Sequence, residues 1–217
     1  APSSHCRSCG TPIRWVDNIP LLSCCRLRGR CRECGSPIGW RYPAVEAATG
    51  AVFALSVVRF GVTLELLPAL LLLSALVAVT AIDLEHRLIP DVITLPGIAA
   101  GLLISPALSP LPWTDSLLGA LLGGGIFFLV ILLSGGGMGG GDMKLAAMIG
   151  AFLGWKLALV ALFLGVFLGG GVAVALLVSG RRGRKDPVPF GPFLAAGSAL
   201  SLFWGEGVLR WYLSGFR

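Results

Sequence analysis

Charge is scarce in this chain. Only 13% of its 217 residues are Asp, Glu, Lys or Arg, and only two are histidine. A water-soluble domain of this length needs more polar surface than that supplies. Intrinsic disorder is excluded too, because 55% of the residues are hydrophobic. His5 and His86 are the whole supply of imidazole, and neither sits in a setting that would activate a Ser or Cys nucleophile. The 31 glycines follow no G-x-y period, which excludes a collagen-like chain. No glycine-rich nucleotide motif follows a strand pattern.

What is abundant is apolar sequence. The mean hydropathy is +0.85, and uncharged runs cover 66–82, 92–114, 116–141, 157–180 and 187–205. Each is about long enough to cross a ~30 Å hydrocarbon core at ~1.5 Å per residue. The pattern predicts an all-α polytopic membrane protein. It places helices over 43–62, 64–82, 92–109, 116–134, 143–154, 156–180 and 189–214. Pro106, Pro110 and Pro112 predict a loop over 105–115.

The net charge of +6 is uneven. Residues 1–42 hold seven arginines against Asp17 and Glu33, and a second cluster is Arg181, Arg182, Arg184 and Lys185 beside Asp186. Both clusters abut apolar runs. The positive-inside rule therefore reads them as cytoplasmic loops rather than a nucleic-acid surface. With 1–42 cytoplasmic, six crossings return the second cluster to the same side. The short segment 143–154 must cross, or span at a tilt, for that parity to hold. Asp83 then ends the second helix and Asp142 begins the fifth, 59 positions apart in sequence but at one membrane face.

Residues 1–42 are too few to build a self-sufficient core and need a staple. They hold C-R-S-C-G-T-P at Cys6 and Cys9, and C-R-E-C-G-S-P at Cys31 and Cys34. A doubled CxxC with matching flanks predicts two knuckles offering four thiolates to one tetrahedral zinc. Neighbouring arginines would favour the thiolate form. Four protein ligands close the site, so the metal is structural and contributes folding energy. Cys24 and Cys25 fall outside the spacing and are read as bystanders.

Acidic residues beside apolar helices are costly and usually functional. Asp83, Glu85 and Asp91 lie in A-I-D-L-E-H-R-L-I-P-D, and Asp142 in G-G-G-D-M-K-L. Glu85 and His86 read as a solvated loop, Asp91 as a helix cap and Lys144 as a surface charge. Asp83 directly follows a 17-residue uncharged run and resists any bland role. Two aspartates brought together share a proton and can hydrolyse an amide: one takes a proton from water while the other donates toward the carbonyl. The glycines before Asp142 would either let an extended peptide backbone come close or serve as a flexible linker between the two flanking helices.

In order, the C-x2-C-x21-C-x2-C, R-Y-P-A-V-E, I-D-L-E-H-R-L-I-P-D, G-G-G-D-M-K-L and P-F-G-P motifs resemble those of the bacterial type IV prepilin peptidases, membrane aspartic proteases of the GxGD type. The resemblance runs from Cys6 to about Trp204. It implies that Asp83 and Asp142 are catalytic and that Gly139 and Gly141 are the motif glycines that meet substrate. It implies that Cys6, Cys9, Cys31 and Cys34 bind zinc. It further implies removal of the basic leader from prepilins or pseudopilins at the cytoplasmic face of the bacterial inner membrane. N-methylation with S-adenosylmethionine then follows, with Glu46 as the position to test. Family members carry eight helices, of which this chain holds seven, with the first missing. The expected organisation is a cytoplasmic zinc domain over 1–42 and a transmembrane peptidase domain over 43–217, with the bilayer and the prepilin as partners and no nucleic acid. The competing class is an ion- or proton-coupled transporter with buried acids, which predicts inverted repeats, and none is evident.

Overall fold

The computed structural model describes residues 5–6, 8–133, 139–180 and 189–215. The basic cluster at 181–185 and the first part of the glycine run lie outside them. Among the described residues there is no strand, only isolated bridges, and seven α-helices. These are α1 Leu22–Arg26, α2 Arg41–Phe60, α3 Leu66–His86, α4 Asp91–Leu108, α5 Trp113–Leu133, α6 Gly140–Val178 and α7 Gly191–Ser214. The last six are long and apolar enough to cross a membrane. By its contacts the chain separates into two compact units, Ala1–Ala54 and Leu55–Arg217, with the division inside α2.

In the first unit each cysteine pair closes a near-identical knuckle. Cys6 donates its N–H to the Thr11 carbonyl (2.9 Å) and receives Gly10 N–H (2.9 Å); Cys31 does the same with Ser36 (2.8 Å) and Gly35 (3.0 Å). Gly10 and Gly35 take φ of +70° and +68°, a left-handed conformation that glycine adopts without steric cost. The repeated C-x-x-C-G is thus the backbone requirement of the turn.

In the second unit, α3 buries Ala69, Leu72, Leu73, Leu76, Val79 and Asp83 along one stripe, with spacings of three and four residues. Asp83 continues the face that packs inward. The remaining helices approach through small residues. A Cβ on Gly119 of α5 would strike the backbone of Gly150 and Gly154 on α6, and one on Gly123 would strike Ala146. Ser116 Oγ donates to the Ala151 carbonyl at 2.6 Å along the same seam. Beyond Gly154, α6 changes partner. Gly165 packs within 3.1 Å of α7 at Leu194, measured from the position its Cβ would take, and Ser201 Oγ donates to the Leu157 carbonyl at 2.7 Å. Leu133, Phe163 and Phe167 remain exposed on the outer faces, suited to lipid contact.

The break in α6 is the residue that ends the expected helix 143–154. Gly154 has φ 73° and ψ 167°, a region essentially reserved for glycine. It divides a 39-residue element, about 58 Å if straight and too long for one crossing, into two differently directed segments. Two expectations are corrected. Pro106 lies inside α4, which runs to Leu108: near a helix end only one backbone donor is lost, and Ser109 N–H still reaches the Ser105 carbonyl at 2.9 Å. Glu85 and His86 form the exposed last turn of α3 rather than a loop, because the helix ends only where Arg87 turns left-handed (φ 53°).

Gly154→Ala should cost about 1–3 kcal/mol, since its Cβ would also meet Leu111 Cδ1 at 2.6 Å. Gly170→Ala, with nothing within 4 Å, should melt at or slightly above the wild-type temperature. Thermal unfolding in detergent checks this, and equal melting of the two variants would contradict the break.

Candidate active site

Asp83 is 4% exposed, and its Oδ2 accepts the backbone N–H of Gly191 at 2.9 Å. That N–H opens α7, where the first helical amides have no intrahelical partner and the helix dipole favours a negative group. Pro192 follows immediately and has no N–H of its own. Gly191 has no side chain for a second reason. A Cβ there would stand 2.7 Å from Asp83 Oδ2. The P-F-G-P motif is therefore the socket of Asp83, a role that its sequence alone did not disclose.

Asp142 stands in the first turn of α6 and is part-buried. Asp83 and Asp142 line one cavity of about 980 Å³, together with Arg87, Ile89, Asp91 and Lys144. Gly139 and Gly141 line the same cavity, but they differ. A Cβ on Gly141 would press on Ile89 Cβ at 2.8 Å, whereas the nearest atom to one on Gly139 is Asp142 Oδ2 at 3.7 Å. Gly141 is small for packing, whereas a Cβ on Gly139 would meet only ordinary contact.

Asp91 does not cap α4, which has no side-chain cap bond. Its Oδ2 instead receives Lys144 Nζ at 2.6 Å, because the N-terminal end of α6 brings an ammonium to the start of α4. Glu46 lies in the second turn of α2. Its Oε2 accepts the Leu21 N–H at 2.9 Å, just before α1, within the first unit.

The sulfur atoms of Cys6, Cys9, Cys31 and Cys34 all lie within 4.8 Å of one another, and Cys6 and Cys34 are 3.9 Å apart. Tetrahedral zinc with Zn–S near 2.3 Å requires sulfur separations of roughly 3.8 Å, so the cluster can hold a metal ion such as zinc. The N–H groups of Cys9 and Ser8, helped by the Ser36 hydroxyl, draw the Cys6 thiol down to about 6. The Ser36 hydroxyl and N–H lower Cys34 as well. At Cys31 the N–H groups of Cys34 and Glu33 also pull downward, but desolvation and bonding to Cys6 and Cys34 outweigh them and raise it. Arg32, next to Cys31, is not directed at these thiols. It forks onto Asp17 instead, with Nε at 2.7 Å from Oδ2. Thr11 and Ser36 occupy the same place in each knuckle, beside Cys9 (3.3 Å) and Cys34 (3.1 Å). The repeated G-T-P and G-S-P were the signal for them.

Residues 70–174 match the type IV leader peptidase family, and residues 1–60 match the bacterial N-terminal domain of the A24 peptidases. A prepilin leader peptidase/N-methyltransferase of Bacillus subtilis (strain 168) is 38% identical over 98% of this chain and 86% of its own length. A protein of the same name from Aeromonas salmonicida (strain A449) is 39% identical over 98% of this chain and 75% of its own. Another, from Pseudomonas aeruginosa (strain PAO1), is 38% identical over 100% of this chain and 77% of its own. No solved structure matches the chain.

Two outcomes follow from this geometry. Cys31→Ser should lose bound metal by elemental analysis while Cys25→Ser keeps it; equal metal in both would contradict the four-sulfur site. Gly191→Ala should lose about 1–3 kcal/mol to overpacking against Asp83. Gly207→Ala on the same helix, with nothing within 4 Å, should not. Differential melting in detergent separates the two.

Proposed function

This chain belongs to the type IV leader peptidase family, and from that premise we propose that Asp83 and Asp142 are the catalytic pair of a membrane aspartic endopeptidase that removes the leader of a prepilin or pseudopilin. The observation that carries the reading is that both carboxylates line one cavity although 59 positions separate them in sequence. Gly191 holds Asp83 Oδ2, leaving Oδ1 to take a proton from the attacking water. Asp142, the protonated member, gives its proton to the scissile carbonyl oxygen; as the C–N bond breaks, the proton that Asp83 took from water passes to the leaving amine and the gem-diol hydroxyl returns a proton to Asp142. The two titrate as a unit. Gly139 leaves room for an extended substrate backbone beside Asp142, and Gly141 shapes the wall behind it.

Four thiolates from Cys6, Cys9, Cys31 and Cys34 hold zinc in this reading. The ion cross-links a unit whose side chains are largely exposed and supplies folding energy without an open position for chemistry. We assign residues 1–42 as that zinc domain and 43–217 as the membrane peptidase domain. Both the zinc domain and the active site face the cytoplasm of the bacterial inner membrane. The second activity named for the relatives, N-methyl transfer, acts on the new N-terminus. S-adenosylmethionine supplies the methyl group, and its sulfonium cation would suit a carboxylate such as Glu46.

Cleavage of a leader-bearing peptide by liposome-reconstituted protein tests the assignment. Asp83→Asn and Asp142→Asn should each lose on the order of 10²–10⁴-fold in kcat. Methyl transfer to a pre-cleaved peptide should persist in both. Wild-type cleavage by either variant would remove that aspartate from the mechanism.

A further inference from the structure

Two residues with bland roles in the sequence meet at the cavity. Asp91 opens α4, and Lys144 lies one residue beyond Asp142's neighbour at the N-terminal end of α6. They are 53 positions apart, yet Lys144 Nζ sits 2.6 Å from Asp91 Oδ2. Both line the wall that also holds Asp83 and Asp142. The chain between Asp83 and Asp91 has little freedom. Arg87 ends α3 in a left-handed turn whose N–H returns to the Asp83 carbonyl at 2.9 Å. Ile89 is 7% exposed and fills the space that Gly141 leaves vacant. Pro90 fixes the entry to α4. The α3–α4 corner thus holds the start of α6 at two points, one apolar and one ionic, on either side of Asp142.

We propose that the Asp91–Lys144 pair is a latch that sets the separation of Asp83 and Asp142, making both positioning residues for the reaction; this rests on the reading of the two aspartates as the catalytic pair. The geometry favours positioning over stabilisation. The side chains are 54% and 30% exposed, and an ion pair that wet adds little to stability. What it does is choose one register of the α6 N-terminus against the corner. A displacement of about 1 Å at reacting groups can cost a hundredfold in rate, so a weak but directional contact suffices.

The test is charge reversal in the full chain, reconstituted in liposomes and assayed on a leader-bearing peptide. Lys144→Asp and Asp91→Lys should each lower kcat by about tenfold or more, with KM within about twofold. The spacing between the two limbs of the pH–rate profile should also change, because the coupling of the aspartates depends on their distance. The combined Asp91→Lys/Lys144→Asp protein should recover most of the kcat and the wild-type profile. Single reversals that cleave like wild type would overturn the latch. So would a combined variant that regains its melting temperature but not its kcat. A rise in KM at constant kcat would overturn it in favour of direct contact between Lys144 and substrate. Asp83→Asn leaves the pair intact. Wild-type cleavage in that control would sink the catalytic reading itself and the latch with it, a result distinct from failed rescue.

Discussion

In a bilayer, apolar side chains gain nothing by leaving lipid for one another, so helix association rests on close contact between backbones. The second unit meets this constraint with small residues. Gly119 and Gly123 on α5, Ala146 and Gly150 on α6, and Gly165 against α7 bring main chains together where a Cβ would collide. Interhelical hydroxyl bonds from Ser116 and Ser201 tie the same seams. The break at Gly154 lets one element serve both, with its first half on α5 and its second on α7. Through these seams the N-termini of α6 and α7 arrive at the end of α3, where the carboxylates are.

At that meeting point the polar groups are arranged by helix ends. Asp83 extends the buried stripe of α3 into the cavity and is received by the first amide of α7. Asp142 begins α6, next to glycines that admit neighbouring atoms. A buried carboxylate is costly in lipid, and the N–H from Gly191 is the local compensation. The same glycine gives the donor and omits the side chain that would expel the acceptor. The site therefore depends on three helix termini coinciding, which explains why its residues are scattered over more than a hundred positions.

The cysteine unit follows a different logic. None of its described residues is buried, and its backbone is organised by two repeated turns whose sulfurs can hold a metal ion. The N–H groups of Cys9 and Ser8 draw the Cys6 thiol toward thiolate, and the Ser36 hydroxyl does the same for Cys34. Arg32 is committed to Asp17, and Glu46 holds the backbone just before α1.

The chain's own pattern determined the membrane class, the approximate positions of its helices, the paired knuckles and the two conspicuous aspartates. Each of these is local: hydropathy, spacing and glycine placement act within one turn or one span. Tertiary structure decided what reaches across helices. It turned Asp91 from a cap into the partner of Lys144, carried α4 through Pro106, and made Gly191 the socket of Asp83. No periodicity encodes those pairings, because they arise only when glycine-lined backbones settle at contact distance and bring three helix ends to one cavity.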